Sequence, residues 1–454
     1  MSSIVSTYKE SFQLTIKLAM PIIVGQLGHI LMGFFDTVQV GGLGAEYIAA
    51  TGIANTIYWF VTLLGLGILF AISPLVSEAF GEQKGEKAIG IFRSSLVVAL
   101  IISVIFTLLM YLAIANFEII RQPERIITNA KSYLMILNLS TPAMMFFAAG
   151  RQLVDGMGRT LPGMLISIGA LLLNILLNWL LIYGNLGFPA FGMEGAAIAT
   201  TISRFAMMLA IFIFIWRDKP IRALIKSYKQ SIYKALSFVK PILIIGVPAS
   251  LQIFSEAASF SAAHVMCGWL GELELASHQI AINLASIAFM TITGISAAGT
   301  IMTGYAYGAK DSHGIRINGN SAIILTLMLE LIFVVFFFTL HKVLPLLYTT
   351  DPKVIAMASS LILLAVFFQI SDGLQNVAVG VLRGIQDVRV PAIIAFVSYW
   401  VIMIPACYLL AFKMGFGVRG IWLGFIIGLS IAAILLTLRF RFKTTLARSE
   451  MNTH

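Results

Sequence analysis

Residues 17–44 read KLAMPIIVGQLGHILMGFFDTVQVGGLG, and between Lys17 and Glu46 the one formally charged side chain is Asp36. A stretch this long and this apolar can cross a bilayer, for which about 20 residues suffice. The apolar run centred on it spans 14–40, and others follow at 48–73, 91–115, 128–150, 162–184, 193–216, 241–266, 275–303, 319–340, 354–381, 391–412 and 418–440. Apolar residues make up 59% of the 454 and charged residues 11%, and the mean hydropathy is +0.95. Twelve spans of about 20 residues leave no room for a soluble domain of ordinary size. The expected fold is an all-α integral membrane protein of twelve transmembrane helices.

Charge supports the even count. Of the 30 Lys and Arg, 22 fall in the loops and ends on the N-terminal side, 7 in the opposite loops, and Arg204 lies inside a span. Positive charge is retained on the cytoplasmic side, which puts both termini there. The net charge of +10 is thus explained by topology, without nucleic acid as a partner. The opening MSSIVSTYKESFQLTIKLAM shows no small-residue cleavage site, so the first helix is expected to stay in the mature chain. Cys267 and Cys407 lack any CxxC or Cys/His spacing and read as packing residues.

The chain also repeats itself. GGLGAEYIAA (41–50) parallels GWLGELELAS (268–277), AFGEQKGEKA (79–88) parallels AYGAKDSHGI (306–315), and VDGMGRTLPGM (154–164) parallels LRGIQDVRVPA (382–392), at separations between 220 and 229 residues. Near the start of each half, matching Pro21 to Pro241 at a separation of 220 sets Asp36 on Glu256. The halves are read as a six-helix lobe over 1–216, a basic linker over 217–240 with seven Lys and Arg, and a second six-helix lobe with a tail over 241–454. Six spans per half is even, so the two pseudo-symmetric bundles form a parallel repeat, an arrangement found in transporters. The linker is expected to be amphipathic and to lie on the anionic leaflet.

An ionisable group at mid-bilayer costs about 2.5–3.5 kcal/mol even on the gentler insertion scale, so each is a functional candidate. Four of the twenty acids qualify: Asp36, Glu256, Glu330 and Asp372. His29 lies seven residues before Asp36, about 20° away around the helix. Asn174 and Asn178 share a face at i, i+4. With Asp36 they make a plausible oxygen cage for Na⁺, to which Thr200 can add a hydroxyl. Gln369, Asp372, Gln375 and Asn376 form a polar stripe, and with Glu256 they read as a site for proton exchange or for attraction of an organic cation. Glu330 has no polar neighbour at helical spacing; pairing with Arg204 or His341, or a place in a cleft, are both open. The loops carry no HExxH, DxxD-type or phosphate-binding glycine motif, so no enzyme and no catalytic residue is expected.

PIIVGQLGHILMGFFDTVQVGGLG, SPLVSEAFGEQKGEKA, GRTLPGM, NILLNWLLIYG, GMEGAAIATTIS and FQISDGLQNVAVGVLRGIQDVRVP resemble the multidrug and toxic compound extrusion (MATE) family, in its NorM-like bacterial branch, from about residue 12 to 440. The resemblance implies a V-shaped pair of six-helix lobes in the bacterial inner membrane and export of cationic or amphipathic drugs in exchange for Na⁺ or H⁺, with no cofactor. It implies a monomer whose partners are small-molecule cationic drugs and membrane lipids. Asp36 then matches the N-lobe acid, Asn174, Asn178 and Thr200 its surroundings, and Glu256 and Asp372 the C-lobe carboxylates; some relatives carry Asp where this chain has Asn178. Gln369, Gln375, Asn376 and His29 are expected near the substrate cleft. The rival reading is a flippase for lipid-linked precursors, which would be expected to show a cationic cleft, whereas Arg204 is the one base read as buried.

Overall fold

The structure, a computed structural model, describes residues 7–120, 122–228 and 236–451; the side chains of His29, Ile120 and 446–451 lie outside that description. Among the described residues there is helix and no strand. The elements are α1 (Tyr8–Gly41), α2 (Ala45–Leu69), α3 (Ile72–Gly81), α4 (Gly85–Ala115), α5 (Glu124–Asn138), α6 (Thr141–Gly156), α7 (Leu161–Tyr183), α8 (Met193–Arg217) and α9 (Lys219–Ser227). They continue as α10 (Val239–Leu270), α11 (Glu272–Gly308), α12 (Ser312–Leu340), α13 (Pro352–Gly384), α14 (Arg389–Lys413) and α15 (Gly417–Met451). Eleven of the described helices are long and apolar enough to cross a membrane, counting α2 and α3 as one, and the bent pair α5–α6 makes twelve.

That bend, 45°, has a chemical cause. Pro142, at the second position of α6, has no N–H to return to the carbonyl of Asn138, so one backbone hydrogen bond is missing at the bend. Pro405 acts differently within α14. The backbone widens to a π-helix over Val397–Met403, just before it, and again over Leu409–Lys413. A proline clashes with the carbonyl four residues back, and a wider turn relieves the clash.

The chain divides into two compact units, one of Val24–Ser250 and one of Met1–Ile23 with Leu251–His454. These bounds differ from the lobes read from the repeat because each unit's first long helix changes membership partway, two residues after Pro21 in α1 and two after Pro248 in α10. Hydrogen bonds accompany the exchange. Ser11 donates to Asn318 Oδ1 (3.0 Å) and Thr15 to Met302 Sδ (3.2 Å), both in the second unit. Ser250 donates to the Leu64 carbonyl (2.6 Å) in the first.

The core of the Val24–Ser250 unit gathers Tyr58, Met110, Phe117, Tyr133, Leu134 and Leu137. The other unit is centred on Phe368, Tyr399, Trp422 and Phe425. Of the basic linker, residues 229–235 lie outside the described residues. Lys219–Ser227 form α9, capped by Asp218, whose carboxylate accepts from the Ile221 amide (3.1 Å), and Leu236–Phe238 make a 3-10 turn that leads into α10. Ile221 is buried, and Leu224, Ile225 and Tyr228 pack around Ile89 of α4, so apolar side chains of this helix lie against protein.

The repeat is visible in backbone landmarks. Gly44 (φ 133°) and Gly271 (φ 147°) precede α2 and α11 in a conformation that glycine alone adopts without strain. Gln83 (φ 60°) and Lys310 (φ 54°) follow α3 and α11. Both pairs are 227 residues apart. Gly158 (φ 74°) and Gln386 (φ 63°) are 228 apart. Near α1 and α10 the register is therefore 227, which matches Pro21 with Pro248 and corrects the separation of 220 taken from Pro241. The ion pairs Arg159–Asp218 and Asp387–Arg439 (2.8 Å) hold corresponding turns with their charges exchanged.

Candidate functional site

Asp36 is carried by the half of α1 that belongs to the Val24–Ser250 unit and is 4% exposed. Asn178 Nδ2 donates to its Oδ1 at 2.6 Å, and Thr200 Oγ1 donates to its Oδ2 at 3.0 Å. Asn174 Nδ2 in turn donates to Thr200 Oγ1 (3.1 Å), and Asn178 Nδ2 reaches Asn174 Oδ1 (3.4 Å). The i, i+4 spacing of the two asparagines on α7 puts both amides in one cluster with a hydroxyl from α8. The four residues expected to act together are together. No described Lys or Arg lies within ion-pair distance of Asp36; neutral donors hold the carboxylate. Asn178 Oδ1 is buried without a partner, leaving one oxygen in the cluster uncommitted. His29 lies outside the described side chains.

One turn beyond Thr200 on α8, Arg204 donates to Ser140 Oγ (2.8 Å) and stacks on the Tyr58 ring, its guanidinium carbon 4.6 Å from the centroid. Ser140 sits in the break between α5 and α6, and the Tyr58 hydroxyl lies 3.4 Å from it and 3.3 Å from Thr141. Stacking and a neutral acceptor accommodate the guanidinium. Arg204 is therefore not the partner of Glu330, and neither is His341, whose Nδ1 is 2.8 Å from the Phe338 carbonyl.

In the other unit the polar stripe of α13 faces inward. Gln375 Nε2 donates to Glu256 Oε1 (2.9 Å) while its Oε1 accepts from the Tyr399 hydroxyl (2.6 Å). Gln369 Nε2 donates to the Ala285 carbonyl (3.3 Å). Gln369, Asp372 and Gln375 are 1%, 3% and 1% exposed, so their side chains serve the interior of this unit; Asn376 is half-buried, with its backbone carbonyl accepting from Ser296 (2.9 Å). On α10, Ser255 accepts from Trp400 Nε1 (2.9 Å) and Ser259 bonds the Glu256 carbonyl (2.7 Å). Tyr399 and Trp400 belong to this network and were not singled out from the sequence, because an aromatic pair in a long apolar run looks like core. The signal that exposes them is Pro405, six residues after Tyr399, which forces the π turns that carry both residues.

Glu330 is fully buried, and neither carboxylate oxygen has a hydrogen-bond partner. His264 and His278 pack against each other at a tilt of 52°, ring centroids 5.4 Å apart, with Trp422 and Phe425 against His278. Among the described residues no group of three or more His, Cys, Asp or Glu is arranged to hold a metal ion. With the register at 227, Asp36 corresponds to Ala263 and Glu256 to His29. The two acids are not repeat partners, and each cluster is particular to its unit.

Solved structures share the fold across almost the whole chain. An outward-facing multidrug resistance MATE family transporter of the MOP superfamily is 24% identical, covers 96% of both chains and has a TM-score of 0.87. A eukaryotic MATE transporter is 20% identical, covering 98% of this chain and 99% of its own, at a TM-score of 0.87. A MOP superfamily transporter from Pyrococcus furiosus, described as having a binding pocket of reverse polarity, is 24% identical over 96% and 97%, at 0.86. The MatE family model matches twice, at residues 21–180 and 248–409, with starts 227 residues apart as the backbone landmarks require. With both halves of the repeat matched, the chain belongs to the MatE family and is a multi-pass membrane transporter rather than an enzyme.

Proposed function

We propose that this transporter is a secondary active multidrug exporter that exchanges cationic or amphipathic small molecules for Na⁺ or H⁺. The observation that carries the reading is Asp36, a buried carboxylate held by Asn178 and Thr200 with no Lys or Arg within ion-pair distance among the described residues. A permanent structural acid would be expected to acquire an Arg or Lys, since an uncompensated buried charge is expensive. A carboxylate that must alternately hold and release a small cation is better served by neutral donors.

The second cluster, Glu256 with Gln375 and Asp372, supplies negative charge for a cationic guest or a further ion. Loading the acids with Na⁺ or H⁺ weakens the hold on the drug, and the membrane potential drives the ion inward with about 2.3 kcal/mol per charge per 100 mV. Coupling requires the ion and the drug to favour different states or to compete for one site. The proposed setting is the bacterial inner membrane with both termini cytoplasmic, a monomer among lipids. Ethidium efflux from energised cells tests the reading: Asp36→Asn and Asp372→Asn variants, at wild-type abundance, are each expected to lose most active efflux, and undiminished efflux in both contradicts it.

A further inference from the structure

The basic linker has no part in the exchange proposed above, yet its described helix carries a bare patch of charge. On α9, Ile221, Leu224 and Ile225 fall within an arc of about 100° and lie against protein, while Lys219, Arg222 and Lys226 fall within about 60° on the other side. Those three and Arg217, just before the helix, are exposed. The one acid between Trp216 and Tyr228 is Asp218, whose carboxylate is engaged by the Ile221 amide and by the ion pair with Arg159. Other cations of the same unit are committed: Lys84 and Lys87 pair with Glu82, and Arg151 pairs with Asp155. Arg217, Lys219, Arg222 and Lys226 have no carboxylate within ion-pair distance among the described residues, and the exposed Glu86 on the first turn of α4 pairs with none of them.

The packing fixes where this patch sits. α8 is an apolar helix long enough to span the membrane that ends at Arg217, α4 is another that begins at Gly85, and α9 packs against both. A Cβ on Gly85 would meet Leu224 at 2.8 Å, so α9 crosses the first turn of α4. It therefore lies at the level where two spans leave the bilayer. Trp216, at the end of α8, is 64% exposed, and tryptophan is enriched in the headgroup layer. The helix is also held firmly from behind. The Arg93 guanidinium lies 4.7 Å from the centre of the Tyr228 ring, and a Cβ on Gly90 of α4 would strike both Tyr228 and Phe238. Lys219, Arg222 and Lys226 are thus presented in a fixed row at i, i+3 and i+7, where like charges on neighbouring turns repel. An anion placed among them removes that repulsion, and a row already ordered loses little freedom on binding.

We propose that Arg217 and the outer face of α9 form a docking surface for anionic phospholipid, with the lipid phosphate held among Arg217, Lys219, Arg222 and Lys226 and Trp216 seated in the headgroup layer beside it. Guanidinium and ammonium groups both suit phosphate, the first as a fork and the second as a point charge. A lipid rather than a dissolved anion follows from the place: the row lies at the end of two spans beside an exposed tryptophan, where an anionic leaflet concentrates phosphate and attracts basic segments. The inference is independent of the exchange reading, because the surface shares no residue with the acid clusters and its test reads lipid instead of transport.

The test follows the thermal transition of the purified full-length protein in neutral detergent as dioleoylphosphatidylglycerol, dioleoylphosphatidylcholine or inorganic phosphate is added. The phosphatidylglycerol is expected to raise the transition and the other two to leave it in place. In a variant carrying Arg217→Gln, Lys219→Gln, Arg222→Gln and Lys226→Gln, the phosphatidylglycerol concentration for half the rise is expected to increase at least about tenfold. A control variant with Arg125→Gln, Lys342→Gln, Lys353→Gln and Lys413→Gln, four exposed cations of the opposite loops, is expected to respond as wild type does. Equal responses from the two variants, or an equal rise with inorganic phosphate, overturn the proposal. A second measurement needs no loss of charge. A spin label on Ala223→Cys, an exposed position of α9, is expected in proteoliposomes to be relaxed more strongly by nickel chelated on lipid headgroups than by soluble nickel chelate; the reverse order overturns the proposal even if the four-fold variant fails to fold.

Discussion

Asp36 shows how much a single residue reveals in an apolar chain. Any charge inside a span is conspicuous, and two asparagines at i, i+4 in another span are nearly so. The Asp36, Asn174, Asn178 and Thr200 cluster was legible for that reason, and the structure joins all four by hydrogen bonds. Glu330 was legible as an oddity, but its place against Gly373 of α13 was not, because a glycine in an apolar run has no spacing signature. Thr200 supports a quantitative expectation. Its hydroxyl stabilises the ion-free carboxylate, and hydrogen bonds to charged groups contribute about 1.5–3 kcal/mol. Thr200→Val should therefore change the hold on the coupling ion roughly tenfold or more, in a direction that separates the two ions: a proton is held more tightly without the hydroxyl, a Na⁺ that takes it as a ligand more loosely. The ion concentration for half-maximal efflux should fall for H⁺ coupling and rise for Na⁺ coupling, while Thr200→Ser stays near wild type.

At the level of elements, the spans were readable from length and hydropathy, while their interruptions were not. The run 128–150 is the bent pair α5–α6, and the run 391–412 contains two π stretches, because proline changes the backbone without changing hydropathy. Close helix crossings were equally hidden. A Cβ at Gly380 of α13 would meet the Ser296 carbonyl oxygen of α11 at 2.6 Å, so Gly380→Val must force the two helices apart. Overpacking of this kind costs about 1–3 kcal/mol, expected as a lowered thermal transition in detergent at wild-type expression.

The turn after α3 supplies a pH test. Burial pushes the Glu82 carboxyl up, but Lys87 (2.8 Å) and Lys84 (3.2 Å) outweigh it and hold the group below its ordinary value of 4.5. A carboxyl lowered in the folded state contributes stability above pH 4.5 that is lost as pH falls through the folded value. Partial exposure limits the contribution to about 1 kcal/mol or less. Wild type should therefore lose its small stability advantage over Glu82→Gln as acidification passes below pH 4.5, measured by thermal shift at several pH values.

For the molecule as a whole, the sequence repeat established two related halves but placed the first helices seven residues out of register. Pro21 and Pro241 begin similar-looking segments, while the positive-φ landmarks Gly44 with Gly271 and Gln83 with Lys310 fix the separation at 227. In that register the buried acids are not duplicated, which makes the transporter asymmetric in chemistry while symmetric in fold. The compact units also exchange the beginnings of α1 and α10, a relation that hydropathy does not encode.

The central claim is that neutral-held buried acids exchange a small cation for a drug. The most direct measurement is ethidium efflux from proteoliposomes in which a Na⁺ gradient and a pH gradient are imposed separately on wild type and Asp36→Asn. The account predicts gradient-accelerated efflux in wild type for at least one ion and none above the passive leak in the variant. Efflux that ignores both gradients, or that Asp36→Asn sustains at the wild-type rate, contradicts it.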